Sequence, residues 1–182
     1  MSDLRPRSAL DGVDDVIGTI RLREVTNISL VSVAARRNSQ DRCHAWLRMT
    51  FGAVPGPNGS ESSVAGTALW MGPDQWMLSR QIGPDFDYAG NIKTELDEAA
   101  SVTEQTGSWV MIEVTGDRLA DAFERLCAIP IRTMQPGEAR RTQINHQSCF
   151  VVLESKSAAR ILGARSSARS LWHALTMTAR AL

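Results

Sequence analysis

The sequence lacks several features that would point to a partner or a compartment. Its 182 residues carry 20 basic and 20 acidic side chains, so the formal net charge is zero and no global field attracts nucleic acid or an anionic membrane. No apolar run approaches the roughly 20 residues that a membrane-spanning helix needs. Residues 1–7 are polar and lack the apolar run of a signal peptide. We therefore expect a cytoplasmic protein with no nucleic-acid or membrane partner.

Cysteine is scarce, and the common catalytic motifs are missing. Cys43, Cys127 and Cys149 are odd in number and form no C-x-x-C pair, which is typical of reduced thiols. His146 and Cys149 stand three residues apart, but no second pair at metal-ligand spacing accompanies them. No G-x-S-x-G, G-x-G-x-x-G or P-loop pattern occurs. The residues therefore predict no catalytic, cofactor-binding or metal site for this chain alone.

The N-terminal segment differs in composition from the rest. Residues 1–24 are polar and contain Pro6, Gly12 and four aspartates, so they offer too little apolar surface to order by themselves. We predict a flexible N-terminal arm over residues 1–24, with one short ordered piece at 16–20. Residues 25–182 are then predicted to form a single domain, because the length fits the usual domain size.

Hydrophobic patterning over residues 25–182 predicts an α+β fold. Period-two alternation indicates strands, and apolar residues at helical spacing indicate helices. The predicted strands cover 25–34, 43–51, 101–105, 109–114, 141–146, 149–154 and 159–162, with a predicted hairpin over 67–80. The predicted helices cover 89–100, 119–127 and 166–182. Hairpins dominate this order, including one that turns at Gln147 and Ser148. We expect a mainly antiparallel sheet with packed helices.

Tryptophan is unusually frequent, with five among ten aromatic residues. Trp109 lies within a strongly alternating strand and is expected in the core. Trp46, on the polar face of the predicted strand 43–51, and Trp172 are better placed for an interface. Trp70 and Trp76 flank Gly-Pro-Asp, which predicts a tight turn containing Asp74. The candidate subunit-interface residues are therefore Trp46, Trp70, Asp74, Trp76 and Trp172.

Three segments together resemble the γ subunit of heterotetrameric sarcosine oxidase. Residues 70–78 read W-M-G-P-D-Q-W-M-L and are similar to that family's W-x-G-P-D-E/Q-W-L-L stretch. Residues 102–109 read V-T-E-Q-T-G-S-W and continue through I-E-V-T-G at 112–116 to R-L-C at 125–127. The third segment is Arg165-Ser166 followed by Leu171-Trp172. Their order and spacing match the family, and they span residues from about 65 to 175.

The resemblance implies an accessory, non-catalytic subunit that packs mainly on the α subunit of a complex with α, β and δ chains. That complex oxidatively demethylates sarcosine to glycine, yielding hydrogen peroxide and formaldehyde or 5,10-methylenetetrahydrofolate. FAD, FMN, NAD and tetrahydrofolate sites belong to its other subunits, and zinc to the δ subunit. The γ chain is related in fold to the folate-binding domain of aminomethyltransferases.

The alternative is a stand-alone folate-binding or one-carbon-transfer protein of the aminomethyltransferase-like superfamily. The related iron–sulfur assembly proteins carry a K-G-C-Y-x-G-Q-E motif, and none of the three cysteines lies in such a context.

Overall fold

The computed structural model describes residues 7–81 and 86–182, which contain eleven β-strands and four α-helices. The strands are β1 (Asp14–Ile17), β2 (Ile20–Glu24), β3 (Ile28–Ala35), β4 (Ser60–Ser63), β5 (Gly66–Gly72), β6 (Gln75–Gln81), β7 (Ala100–Glu104), β8 (Trp109–Thr115), β9 (Ala139–Ile144), β10 (Gln147–Ser155) and β11 (Ala158–Ala164). The helices are α1 (Gln40–Phe51), α2 (Tyr88–Leu96), α3 (Leu119–Leu126) and α4 (Ala168–Arg180). No helix among the described residues is both long and apolar enough to cross a membrane.

The strands form two sheets whose pairings are all antiparallel. One sheet has six strands in the order β1-β2-β8-β11-β10-β9, and the other has five in the order β4-β5-β6-β3-β7. The predicted α+β class with antiparallel pairing is confirmed. The single predicted sheet proves to be two sheets that face each other, because one apolar cluster takes members from both. Its buried members are Leu30, Leu69, Met77, Met111, Ala139, Phe150 and Leu162.

The helices cover the outer faces of the two sheets. Val110, Ile112 and Val114 point from β8 toward α3 and α4, in a core that includes Phe123 and Leu171. A second core joins the five-stranded sheet to α1 and α2. The layers therefore run helix, sheet, sheet, helix. The two faces predicted for residues 109–114 are confirmed. Both are largely apolar, as expected of a strand with a packed layer on each side.

The predicted strand over residues 43–51 is wrong, because these residues belong to helix α1. Cys43, Trp46, Leu47 and Phe51 are its buried residues. Their spacing of three or four residues forms one helical stripe against the five-stranded sheet. The alternation of apolar and polar residues that suggested a strand was coincidental. The helix ends at Gly52, whose φ of 90° places it in the left-handed region that terminates many helices.

The predicted flexible arm over residues 1–24 is also wrong where the structure describes it. β1 and β2 form a hairpin, and β2 pairs with β8 in the six-stranded sheet. The carboxylate of Glu24, only 5% exposed, accepts hydrogen bonds from Ser8 Oγ at 2.8 Å, Leu10 N at 3.1 Å and Gly12 N at 2.7 Å. One buried side chain thus orders a polar segment that has little apolar surface of its own. Residues 1–6 lie outside the described part.

The hairpin of β9 and β10 turns two residues earlier than predicted. Ile144 pairs with Gln147, so the loop is Asn145 and His146 rather than Gln147 and Ser148. Both loop residues have positive φ, at 47° and 65°. That backbone matches the right-handed twist of the strands it joins, and asparagine tolerates it better than most residues.

Candidate functional site

The Gly-Pro-Asp turn is a structural element of the β5–β6 hairpin. Trp70 pairs with Trp76 across the hairpin, and Gly72 pairs with Gln75 after a register shift. Asp74 has a φ of 54°, in the left-handed region that aspartate tolerates better than most residues with a Cβ atom. Its Oδ1 lies 3.2 Å from Nε2 of His44 on α1. Its backbone oxygen accepts a hydrogen bond from Ala35 N at 3.0 Å. The turn therefore links the hairpin to both β3 and α1.

The interface prediction is wrong for Trp76, because its side chain is buried inside the chain. Trp76 is 2% exposed and donates its indole N–H to the backbone oxygen of Pro55 at 3.0 Å. Trp46 is 8% exposed and donates its indole N–H to Glu95 Oε2 at 2.5 Å. That bond fixes α1 to α2, and the ring packs edge-on to Phe51. Neither indole offers a broad surface to another chain.

The other candidate interface residues are half-buried, and their interface role stays a prediction. Trp70 lines a cavity of about 260 Å³ with Arg141 and Phe150, at the end of the hairpin. Trp172 packs partly against the core of the six-stranded sheet from α4. Asp74 is the third. The structure does not bring these residues together as one site around a common cavity.

The cysteines lie in apolar surroundings rather than at a reactive centre. Cys43 and Cys149 are buried, and Cys127 is half-buried. Burial raises the pKa of all three thiols, and that of Cys149 to about 12, with a smaller contribution from the nearby Cys127. Such thiols are poor nucleophiles at neutral pH. Within residues 7–81 and 86–182, no cluster of three or more His, Cys, Asp or Glu side chains could hold a metal ion.

A space lined by apolar and polar side chains lies between the two sheets, and we call it the inter-sheet cavity. Its volume is about 540 Å³. Its apolar lining comes from both sheets and comprises Leu30, Leu69, Met77, Met111, Val152 and Leu162. Its polar side chains include Ser62, Thr67 and Ser79 from the five-stranded sheet and Glu154 and Arg160 from the six-stranded sheet. A cavity with an apolar body and a few polar groups has the general character of a small-molecule site.

Backbone bonds close one side of the inter-sheet cavity. Gly59 and Glu138 form an isolated antiparallel bridge between the chain before β4 and the chain before β9. Ser60 N donates to Gly137 O at 2.8 Å, and Ala139 N donates to Asn58 O at 2.8 Å. These bonds join the edges of the two sheets. The walls of the cavity are therefore held at a fixed separation by main chain as well as by side-chain packing.

Charged side chains cross the face of the six-stranded sheet beside this cavity. Arg23 on β2 pairs with Glu113 on β8, with Nη2 to Oε2 at 2.7 Å. Glu113 is in turn the cross-strand neighbour of Arg160 on β11, whose Nε lies 3.0 Å from Glu154 Oε1 on β10. Burial raises the pKa of Glu154, the charge of Arg160 offsets part of that effect, and the charge of Glu113 adds to it.

No motif in the sequence predicts this cavity. The available signal was a single charged residue in each of two apolar strands, Glu154 after Val-Val-Leu and Arg160 before Ile-Leu. Their proximity depends on the pairing of β10 with β11, which the composition of either strand does not reveal. The contact of His44 with Asp74 is also not predictable from the sequence pattern, because that pattern predicts a strand over 43–51 instead of a helix beside the turn.

No family model matches the sequence, and no curated protein matches it significantly. The structure does match solved proteins. A chain of heterotetrameric sarcosine oxidase from Corynebacterium sp. U-96 superposes with a TM-score of 0.80 and 21% identity, over 96% of this chain and 94% of that one. The two chains share a fold. Since both are covered almost completely, they are also similar in length. The resemblance inferred from the three sequence segments is confirmed at the level of fold.

A second match is partial. The glycine cleavage system aminomethyltransferase T from Bartonella henselae superposes with a TM-score of 0.60 and 14% identity, over 86% of this chain. The match covers only 48% of the aminomethyltransferase chain. The relation in fold that the sequence implied between this chain and part of an aminomethyltransferase is therefore present in the structure.

Proposed function

We propose that this chain is an accessory subunit of a heterotetrameric sarcosine oxidase, the counterpart of its γ subunit. It packs on the large α subunit of a cytoplasmic complex that also contains β and δ chains. The complex oxidatively demethylates sarcosine to glycine. The flavins, NAD, tetrahydrofolate and zinc belong to the other subunits, and this chain supplies no catalytic residue.

The observation that carries this proposal is the near-complete superposition on a chain of that enzyme. A fold shared from end to end by two chains of similar length favours an equivalent place in an assembly over an unrelated use of the same architecture.

Reconstitution tests the proposal. The chain is expressed alone and together with the large flavoprotein and zinc-bearing subunits from the same genome, and each product is purified through a tag on this chain. Alone, the protein is expected to be colourless and unable to oxidise sarcosine. Together, the subunits are expected to co-purify with flavin absorbance and sarcosine-dependent oxygen uptake. Failure of the other subunits to co-purify, or turnover by the isolated chain, would overturn the accessory role.

A stand-alone folate-binding protein is the second candidate, favoured by the partial match to aminomethyltransferase T and by the size of the inter-sheet cavity. Calorimetric titration of the isolated chain with tetrahydrofolate separates the two candidates. We expect no tight site, and micromolar binding would support the second candidate.

A further inference from the structure

The inter-sheet cavity combines two kinds of wall. Its inner part is apolar, with Leu30, Leu69 and Met77 facing Met111 and Leu162 across the gap between the sheets. The rest of the lining is polar. Glu154 and Arg160 lie side by side on neighbouring strands of one sheet, and the hydroxyl groups of Ser62 and Thr67 come from the other sheet. An apolar compartment that adjoins a paired anion and cation is suited to a ligand with an apolar body and a charged head.

The Arg160–Glu154 contact leaves hydrogen-bonding groups free for such a head. Arg160 Nε is buried and has no well-directed hydrogen bond to any described residue, although Glu154 Oε1 is 3.0 Å away. The contact is therefore electrostatic, with the N–H directed past the carboxylate oxygen. The contact joins one nitrogen to one oxygen, so neither Nη group of Arg160 nor Oε2 of Glu154 takes part in it. A buried donor without an acceptor is costly and calls for one.

The neighbouring charges decide which head fits. Arg160 lies between two carboxylates, those of Glu154 and Glu113, and Glu113 is already bonded to Arg23. Two more glutamates border the cavity. Glu138 is paired with Arg140 at 3.1 Å, and Glu61 is the cross-strand neighbour of Ala68, on the face of β4 and β5 that packs toward the helices. A ligand that carried only a carboxylate would bind the guanidinium but would be repelled by Glu154. A ligand that carried only an ammonium would meet the opposite conflict with Arg160. A head with both charges on adjacent atoms satisfies both side chains without leaving a charge unpaired.

We infer that the inter-sheet cavity binds a small zwitterion with an apolar side chain, of the α-amino acid type. Arg160 holds the carboxylate, Glu154 holds the ammonium, and the space bounded by Leu69, Met77 and Leu162 receives the side chain. The binding site belongs to this chain alone, so it does not rest on assembly with other subunits.

A matched ligand series tests this assignment on the purified full-length chain. L-Norleucine carries both charges, hexanoate has the same carbon chain without the ammonium, and pentylamine has the same side chain and amine without the carboxylate. Affinities are measured by protein NMR titration. Norleucine should bind at least about tenfold more tightly than either analogue, because each lacks one charged hydrogen-bonding group. Equal affinities for the three, tighter binding of either analogue, or no saturable binding of norleucine would overturn the inference.

Variants locate the binding site. The double variant Arg160→Gln/Glu154→Gln removes both charges together, so neither is left unpaired, and it should weaken norleucine binding about tenfold. The control removes another ion pair, Asp14→Asn/Arg21→Gln, whose 2.6 Å contact is exposed on β1 and β2, away from the cavity. It should change the affinity less than about twofold. Comparable losses in the two variants would contradict the assignment.

A third variant keeps the test decisive if the charge variant folds poorly. Ser79 is 8% exposed and lines the cavity from β6, so Ser79→Met fills space while leaving both charges in place. It should abolish norleucine binding in a folded protein. Retained binding would place the ligand elsewhere. Because these titrations use the isolated chain, their outcome is independent of whether it co-purifies with other subunits.

Discussion

The backbone conformation of Asp74 gives a prediction that separates two roles for this residue. Its φ of 54° lies in the left-handed region, which costs a typical residue with a Cβ atom about 1–2 kcal/mol. Its carboxylate also contacts His44, but the two side chains are 39% and 28% exposed, so that contact contributes only about 0.5 kcal/mol. The conformation should therefore matter more than the carboxylate.

Three substitutions at this position separate the cost of the backbone conformation from the contribution of the carboxylate contact. Asp74→Ala loses the carboxylate and carries the strained backbone, so it should lower the free energy of unfolding by about 1.5–2.5 kcal/mol. Asp74→Gly relieves the strain but gains freedom in the unfolded chain, and should cost about 0.5–1 kcal/mol. Asp74→Asn tolerates the conformation and can still bond His44, so it should cost at most about 0.5 kcal/mol.

Urea denaturation followed by tryptophan fluorescence measures these differences. In a chain of this size, each kcal/mol also corresponds to about 2–4 °C in Tm. If Asp74→Gly is as destabilised as Asp74→Ala, the reasoning fails and the carboxylate contact is the dominant role. The His44→Ala variant, alone and combined with Asp74→Ala, completes a double-mutant cycle for that contact. In a reconstituted complex that assembles fully, Asp74→Ala should leave turnover unchanged.

Four further outcomes are expected. A thiol reagent at pH 8 should label Cys43 and Cys149 only as fast as the protein unfolds, as measured against labelling in denaturant, because burial raises their pKa. Trp76→Phe should cost about 1–2 kcal/mol in urea denaturation through loss of the bond to the Pro55 oxygen and part of the packing, whereas Trp76→Ala should cost about 3–5 kcal/mol. Glu24→Ala should make residues 7–13 sensitive to limited proteolysis, because three hydrogen bonds are lost while β2 keeps its pairing with β8. Burial raises the pKa of Glu154, so the folded chain binds its proton more tightly than the unfolded chain does; the contribution of this group to stability is full below its ordinary pKa and declines as pH rises through the raised one. Glu154→Gln should flatten that part of the stability–pH curve relative to Glu61→Gln.

Local sequence patterns predicted those strands and turns whose own residues are typical of the structure they form. β8 is a nearly continuous apolar run because helices cover one face and the other sheet covers the second. The β5–β6 hairpin was visible because Pro73 and Asp74 are typical turn residues. Helix α1 was missed because its apolar residues satisfy two periods at once. Cys43, Leu47 and Phe51 fit both periods, whereas Met49 fits only a strand and Trp46 fits only the helix.

Features that depend on distant residues were beyond local patterns. The N-terminal segment is ordered by Glu24, which folds the preceding polar residues around one carboxylate. The inter-sheet cavity exists because residues 59–60 and 137–139 bridge two sheets that are far apart in sequence. Neither arrangement leaves a mark in the composition of a short window. Long-range pairing of this kind is where propensity reasoning is expected to fail.

The segments that resemble the sarcosine oxidase γ subunit contain residues that stabilise the fold of this chain. In residues 70–78, Trp76 is buried and bonded to Pro55, and Asp74 holds a turn between α1 and β3. In residues 102–127, Ile112 and Phe123 are core residues. Side chains that complete a core are constrained whatever the partner is, so their similarity to another chain reports shared architecture. Substitutions within these segments should therefore impair folding and assembly together. A partner contact is better tested at exposed apolar residues outside the segments, such as Met49 and Met177, where assembly can be lost while the isolated chain stays folded.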